Sequence, residues 1–198
     1  TDSAGNTWTK ALCFANNNGA TQAGASISVF YSRITVQLNS GGTITATFTT
    51  ASLSDASAMT GYTFTVGTGA TVTLGATGTL ANDASDPGSL NVTTPNRQAL
   101  RIRAIAGEVG TNTALTDSGV DWGAFSGGTS ASSGTTAEMA VRAEFAITTG
   151  TSAASDPTWV SCDNASAYVT FYEDITLTPS LFTSATNAFF SPTAASGP

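Results

Sequence analysis

The clearest signal along the chain is the alternation in Met139–Ile147, MAVRAEFAI. Met139, Val141, Ala143, Phe145 and Ile147 share one face, while Ala140, Arg142, Glu144 and Ala146 share the other. A period of two over nine residues predicts an antiparallel strand with one face on a core and one near water. Gln98–Ala106, QALRIRAIA, repeats the pattern: Leu100, Ile102, Ala104 and Ala106 face one way, Arg101, Arg103 and Ile105 the other. In Ser166–Leu177, Ala167, Val169, Phe171 and Ile175 alternate with Tyr168, Thr170 and Tyr172.

Elsewhere the pattern is shorter and more punctuated. Trp8, Leu12 and Phe14 mark a strand over Thr7–Ala15, and Ile27, Val29 and Tyr31 mark a longer one over Ala25–Leu38. Ser40-Gly41-Gly42 reads as a hairpin turn into Thr43–Thr50, with Ile44, Ala46 and Phe48 inward. Ser52–Ala58 suits a short helical turn. Gly61–Val66 and Thr71–Leu80 read as two strands, with shorter ones at Ser89–Thr93 and Thr158–Cys162 and a turn at Thr149–Pro157. About eight to ten strands joined by Gly, Asn, Ser and Pro turns predict an all-β fold. The expected architecture is an antiparallel β-sandwich, jelly-roll-like, without substantial helix. Residues 1–178 are expected to form one such domain, interrupted by a long loop at 111–136. Residues 179–198 are expected to be an extended docking tail, whose Phe182, Phe189 and Phe190 need a surface to cover.

Composition narrows the function. Only 10% of the 198 residues are charged, and the net charge of −7 with six basic residues argues against nucleic-acid binding. No apolar run approaches the roughly 18 residues of a membrane-spanning helix, so membrane insertion is not expected. With no signal peptide and no initiating Met, the chain is expected to be processed, trimmed or part of something longer. Cys13 and Cys162 suit either one disulfide between strand-like segments or two small buried hydrophobes.

Histidine is absent, which excludes Ser-His-Asp and Cys-His catalysis and histidine-containing zinc sites. The expectation is a protein that is not an enzyme. A glycosidase-type carboxylate pair would have to come from Glu108, Glu144, or the adjacent Glu173 and Asp174. Against that, Glu144 suits a cross-strand charge pair with Arg101 or Arg103. No cofactor is expected; calcium stays open through Asp83, Asp86, Asp117 and Asp121, though their spacing matches no defined site. Trp122 and Phe125 in the long loop, with Tyr62, are candidate contacts for a glycan or a partner, since aromatic rings stack on sugars and anchor subunits.

The opening Asp2, Gly5, Asn6, Thr7, Trp8 and Thr9 resembles the surface β-sandwich modules of bacteriophage virion proteins that begin D-x-x-G-N-T-[WY]-T. The hairpin over Ser40–Phe48, with Thr45, Thr47 and Phe48 in step, is similar to another part of that pattern. The resemblance covers about half of the chain and includes no active-site motif. It implies a virion-surface structural protein, such as a capsid decoration, fibre or tail-associated subunit. Such a protein acts by assembly with other subunits and is expected to be a homo-oligomer. Two alternatives stand beside it: an extracellular, secreted carbohydrate-binding or adhesin module, and an extracellular filament subunit.

Overall fold

The computed structural model describes residues 1–16, 24–47, 59–67, 69–85, 88–109, 129–131, 138–149, 152–157, 162–175 and 190–193. These hold eleven strands and no helix. In chain order they are β1 (Trp8–Asn16), β2 (Ala25–Ser32), β3 (Thr63–Val66), β4 (Ala70–Ser85), β5 (Leu90–Thr93) and β6 (Gln98–Val109). There follow β7 (Thr129–Ala131), β8 (Glu138–Thr149), β9 (Ser152–Ser155), β10 (Cys162–Ile175) and β11 (Phe190–Thr193). The main sheet runs β4-β10-β6-β8-β7, and three two-stranded sheets are formed by β1-β2, β3-β11 and β5-β9. Every pairing is antiparallel. A jelly roll would divide its strands into two four-stranded sheets, an arrangement the described residues do not display.

The three strands with the strongest alternation are the neighbours β10, β6 and β8 at the middle of the main sheet. Their registers set like against like. Ile102 lies opposite Phe145 and Val169, and Leu100 opposite Ile147 and Phe171. The β1-β2 layer covers this apolar face in a sandwich-like arrangement. At one end Ala25 and Ile27 pack on Ala106, Ala165 and Ala167, flanked by Leu12 and Phe14. At the other, Leu100, Val169 and Phe171 meet Tyr31, Phe64 and Val66. Tyr31 sets its ring edge-on to Phe171 at 5.2 Å. Burying a Leu or Phe side chain in such a layer contributes about 1.5–3 kcal/mol.

The opposite face corrects the expectation that it lies near water. Arg101, Arg103 and Glu144 are all 0% exposed. The cover is the β5-β9 ribbon, whose Val92 and Leu90 pack on Ala146 and Tyr168. β9, Ser-Ala-Ala-Ser, falls where the sequence reads as a turn, because four small residues leave no apolar period.

Further boundaries differ. The second predicted strand stops at Ser32, six residues early, and residues 33–47 belong to no named strand; Ile44 makes only an isolated bridge to Asp2. Ile44 and Ala46 are exposed rather than inward. The tail is not free of secondary structure either, since β11 pairs with the chain's own β3, Phe190 opposite Val66 and Thr193 opposite Thr63. β7 lies inside the predicted long loop.

β4 carries two register shifts against β10. Beside one of them, a Cβ on Gly75 would collide with the Tyr172 ring, and a Cβ on Gly78 with the Tyr168 ring. Both tyrosine rings lie on glycine backbone, the close approach that a glycine inside a strand permits.

Candidate functional site

The opening segment forms a hydrogen-bonded clip. Asp2 Oδ1 accepts the Ala4 and Asn6 amides, each at 3.0 Å, while Oδ2 accepts Asn6 Nδ2 at 3.1 Å and Trp8 Nε1 at 2.9 Å. The chain can wrap around its own aspartate because Gly5 takes φ of +80°. Partial desolvation pushes the Asp2 carboxyl up, but hydrogen bonds from the Trp8 indole, Asn6 and Ala4 together pull it down to about 2.

Asn6 passes this order outward. Its Nδ2 donates to the Val36 carbonyl at 2.8 Å, and its Oδ1 accepts the Thr35 and Val36 amides, each at 2.9 Å. The Thr45 amide donates to the Thr1 carbonyl at 2.8 Å, and the Ser3 amide to the Thr43 carbonyl at 2.9 Å. Ser3 Oγ in return accepts the Thr43 amide at 3.0 Å. Residues 33–38 and 43–47 are thus fastened to residues 1–6 as an arm. On that arm Ile34, Val36 and Ile44 remain 43%, 54% and 42% exposed. The turn residues of the resembled pattern therefore have a physical role: Asp2, Gly5, Asn6 and Trp8 hold the arm in place.

The buried polar face is the second cluster. Arg103 Nη1 donates to the Ser155 carbonyl and Oγ, both at 2.9 Å, and Nη2 to the Gly88 carbonyl at 2.7 Å. The Ser155 hydroxyl donates to the Glu144 carboxylate, and Arg103 lies directly opposite Glu144 in the ladder. Arg101 Nη2 donates to Thr94 Oγ1 at 2.6 Å. Desolvation lowers the Arg103 pKa to about 10, against the opposing pull of Glu144 and Asp156, so it stays cationic at neutral pH. Ser155 belongs to β9, and Gly88 and Thr94 flank β5. The chemistry ties that ribbon to the sheet.

Among the described residues the carboxylates do not converge. Glu144 faces β9 on the polar side, whereas Glu173 shares the face of Phe171 and accepts the Gly67 amide. Its other oxygen is buried with no hydrogen-bond partner among the described residues. Asp174 sits at the surface, 2.9 Å from Arg97 Nη1, and Arg97 also covers the Tyr172 ring at 3.8 Å. The Asp174 carboxyl is held low by the Thr73 hydroxyl and, against some desolvation, by Arg97. The side chain of Glu108 lies outside the described residues, as do Asp86, Asp117, Asp121 and the side chain of Asp83.

The other sequence candidates separate. Cys13 carries a free, exposed thiol, so the disulfide with Cys162 is not formed here. The reason is orientation: Leu12 and Phe14 turn toward β10, and Cys13, between them, turns away. Tyr62 is half-buried; its hydroxyl donates to the Ala143 carbonyl at 2.5 Å, and its ring stands edge-on to Phe145 at 5.3 Å. Trp122, Phe125, Phe182 and Phe189 lie outside the described residues, and Phe190 opens β11. The fastened arm was missed because its alternation reads as ordinary strand; the cue available was the local Asp-x-x-Gly-Asn, which favours side-chain-to-backbone bonds over a ladder.

Comparison with protein-family models, curated proteins and solved structures finds no match to this chain.

Proposed function

We propose that the chain is a non-enzymatic structural subunit acting by assembly with neighbouring copies, of the virion-surface class that its opening resembles. One observation carries this reading. Residues 1–6 spend their hydrogen bonds holding an arm that presents Ile34, Val36 and Ile44 to solvent. Single exposed apolar side chains are ordinary, but several held on one fixed arm make an interaction surface. Their strand-like alternation suits pairing with a second copy. The burial of Glu144 and Arg103 beneath β9 supports a structural role for the strongest charge cluster as well.

Sedimentation velocity over a range of concentrations, with negative-stain imaging, tests the reading. The expected result is defined oligomers or particles. Replacing Ile34 and Val36 together with Asp should weaken self-association by about tenfold or more, with the β circular-dichroism signal retained. A monomer at every concentration would overturn the proposal, and glycan-array binding by such a monomer would point to the carbohydrate-binding alternative.

A further inference from the structure

We infer that β11 is an exchangeable strand, and that in the assembled state it pairs with β3 of a neighbouring copy. This rests on the assembly reading above, and names the contact that would join one copy to the next.

Three features of the β3-β11 pair point this way. First, β11 has β3 as its ladder partner and forms no ladder with the main sheet; the two make a separate sheet. Among the described residues β11 is laddered to a single neighbour, so its departure breaks one short ladder and no other. Second, β3 is anchored independently of β11. Phe64 stands edge-on to Phe145 at 5.1 Å, and Phe64 and Val66 pack into the cluster of Leu100, Val169 and Phe171. The edge that receives β11 therefore persists when the strand departs. Third, the ladder is short. Four residues, with Pro192 opposite Phe64 lacking an N–H, make a pair that is marginal alone.

The remaining requirement is reach. Residues 176–189 separate β10 from β11, and a stretch of that length extends up to about 50 Å. That contour length sets the range over which β11 can find the β3 of a neighbouring copy. A strand exchanged in this way makes the same Phe190–Val66 and Ser191–Thr65 pairs between copies as within one. The cost in contacts is nil, so local concentration decides the outcome. When the exposed arms bring copies together, intermolecular pairing is favoured.

Cysteine cross-linking tests this directly. In a background with Cys13→Ser and Cys162→Ser, one chain carries Thr65→Cys alone and a second, of different mass, carries Ser191→Cys alone. These positions face each other across the ladder, and a disulfide between the two chains forms only by exchange. The expected result is a mixed dimer by intact mass that rises with protein concentration and parallels the oligomer seen by light scattering. Thr65→Cys and Ser191→Cys combined in one chain should give an internal disulfide in dilute solution. Oligomers without a mixed disulfide would overturn the exchange while leaving the assembly reading standing. Absence of the internal disulfide would overturn the β3-β11 register and the inference with it. A chain that forms no oligomer at all would overturn the assembly reading first.

Discussion

The two faces of the main sheet are both dry, and they are built by opposite chemistry. Beneath β1 and β2 lie Leu100, Val169 and Phe171, held by contacts without direction. Beneath β5 and β9 lie Arg101, Arg103 and Glu144, held by bonds between named atoms. The difference follows from what each cover can bury. β2 brings Ile27, Val29 and Tyr31 to its face, enough apolar area to dock by itself. β9 brings only serine and alanine, so its place is set by Arg103 and Glu144. The apolar face docks its cover through buried area, and the polar face fixes the position of one small ribbon.

The comparison breaks first at Arg103. Arg103→Ala leaves Glu144 buried opposite a missing charge and should cost about 3–5 kcal/mol in urea denaturation. Arg103→Met combined with Glu144→Leu should restore much of that loss, because a buried pair replaced by apolar volume is often neutral. A double variant no more stable than the single one would assign the face to its hydrogen bonds to Ser155 and Gly88 instead. Leu100→Ala on the apolar face should cost about 2–5 kcal/mol. Hydrogen exchange separates the two losses: β9 amides should lose protection selectively in Arg103→Ala, while Leu100→Ala should lower protection across the sheet. Equal patterns would erase the distinction drawn here.

Smaller effects sharpen it. Gly78→Ala pushes a methyl into the Tyr168 ring and should destabilise by about 1–3 kcal/mol in a thermal melt; an unchanged melt would put the ring elsewhere. The clip should respond to acid. Its Asp2 carboxyl has a folded pKa of about 2, below the ordinary 3.8. Its contribution is therefore complete above 3.8 and fades as pH falls toward 2. The Trp8 indole N–H resonance, hydrogen-bonded to Asp2, should shift across that window, and Asp2→Asn should remove the shift.

The sequence was legible where one physical rule dominated. β6, β8 and β10 alternate cleanly, and their apolar faces were readable because burial of Leu100, Phe145 and Val169 leaves a period of two. Their other faces were misread, since Arg101, Arg103 and Glu144 look like solvent-facing residues when the strand covering them is Ser-Ala-Ala-Ser. Residues 33–47 failed for the opposite reason. Ile34, Val36 and Ile44 alternate like a buried strand, yet the Asn6 side chain and a few bonds from Thr1 and Ser3 hold their backbone in place of a full ladder. For the site, the motif Asp2-Gly5-Asn6-Trp8 was visible as residues, while its reach to Val36 and Ile44 was not, because such contacts have no local signature. Cys13 was visible as a thiol, and its alternation with Leu12 and Phe14 already turns it away from β10.

The place of β10 has a consequence for how the chain is made. It lies between β4 and β6, yet of the five strands of its sheet it is the last to be synthesised. β6 finds β8 across a short interval, beginning with Val109 opposite Glu138. β4 must wait for partners as distant as Ile175 opposite Ala70. Pairings of such long range fold slowly, in milliseconds to seconds. A nascent chain halted before Cys162 therefore holds β4 and one edge of β6 open, the condition in which strands seek partners on other molecules. Prematurely terminated chains should be found with the insoluble protein, and the full chain should become soluble only once β10 has left the ribosome.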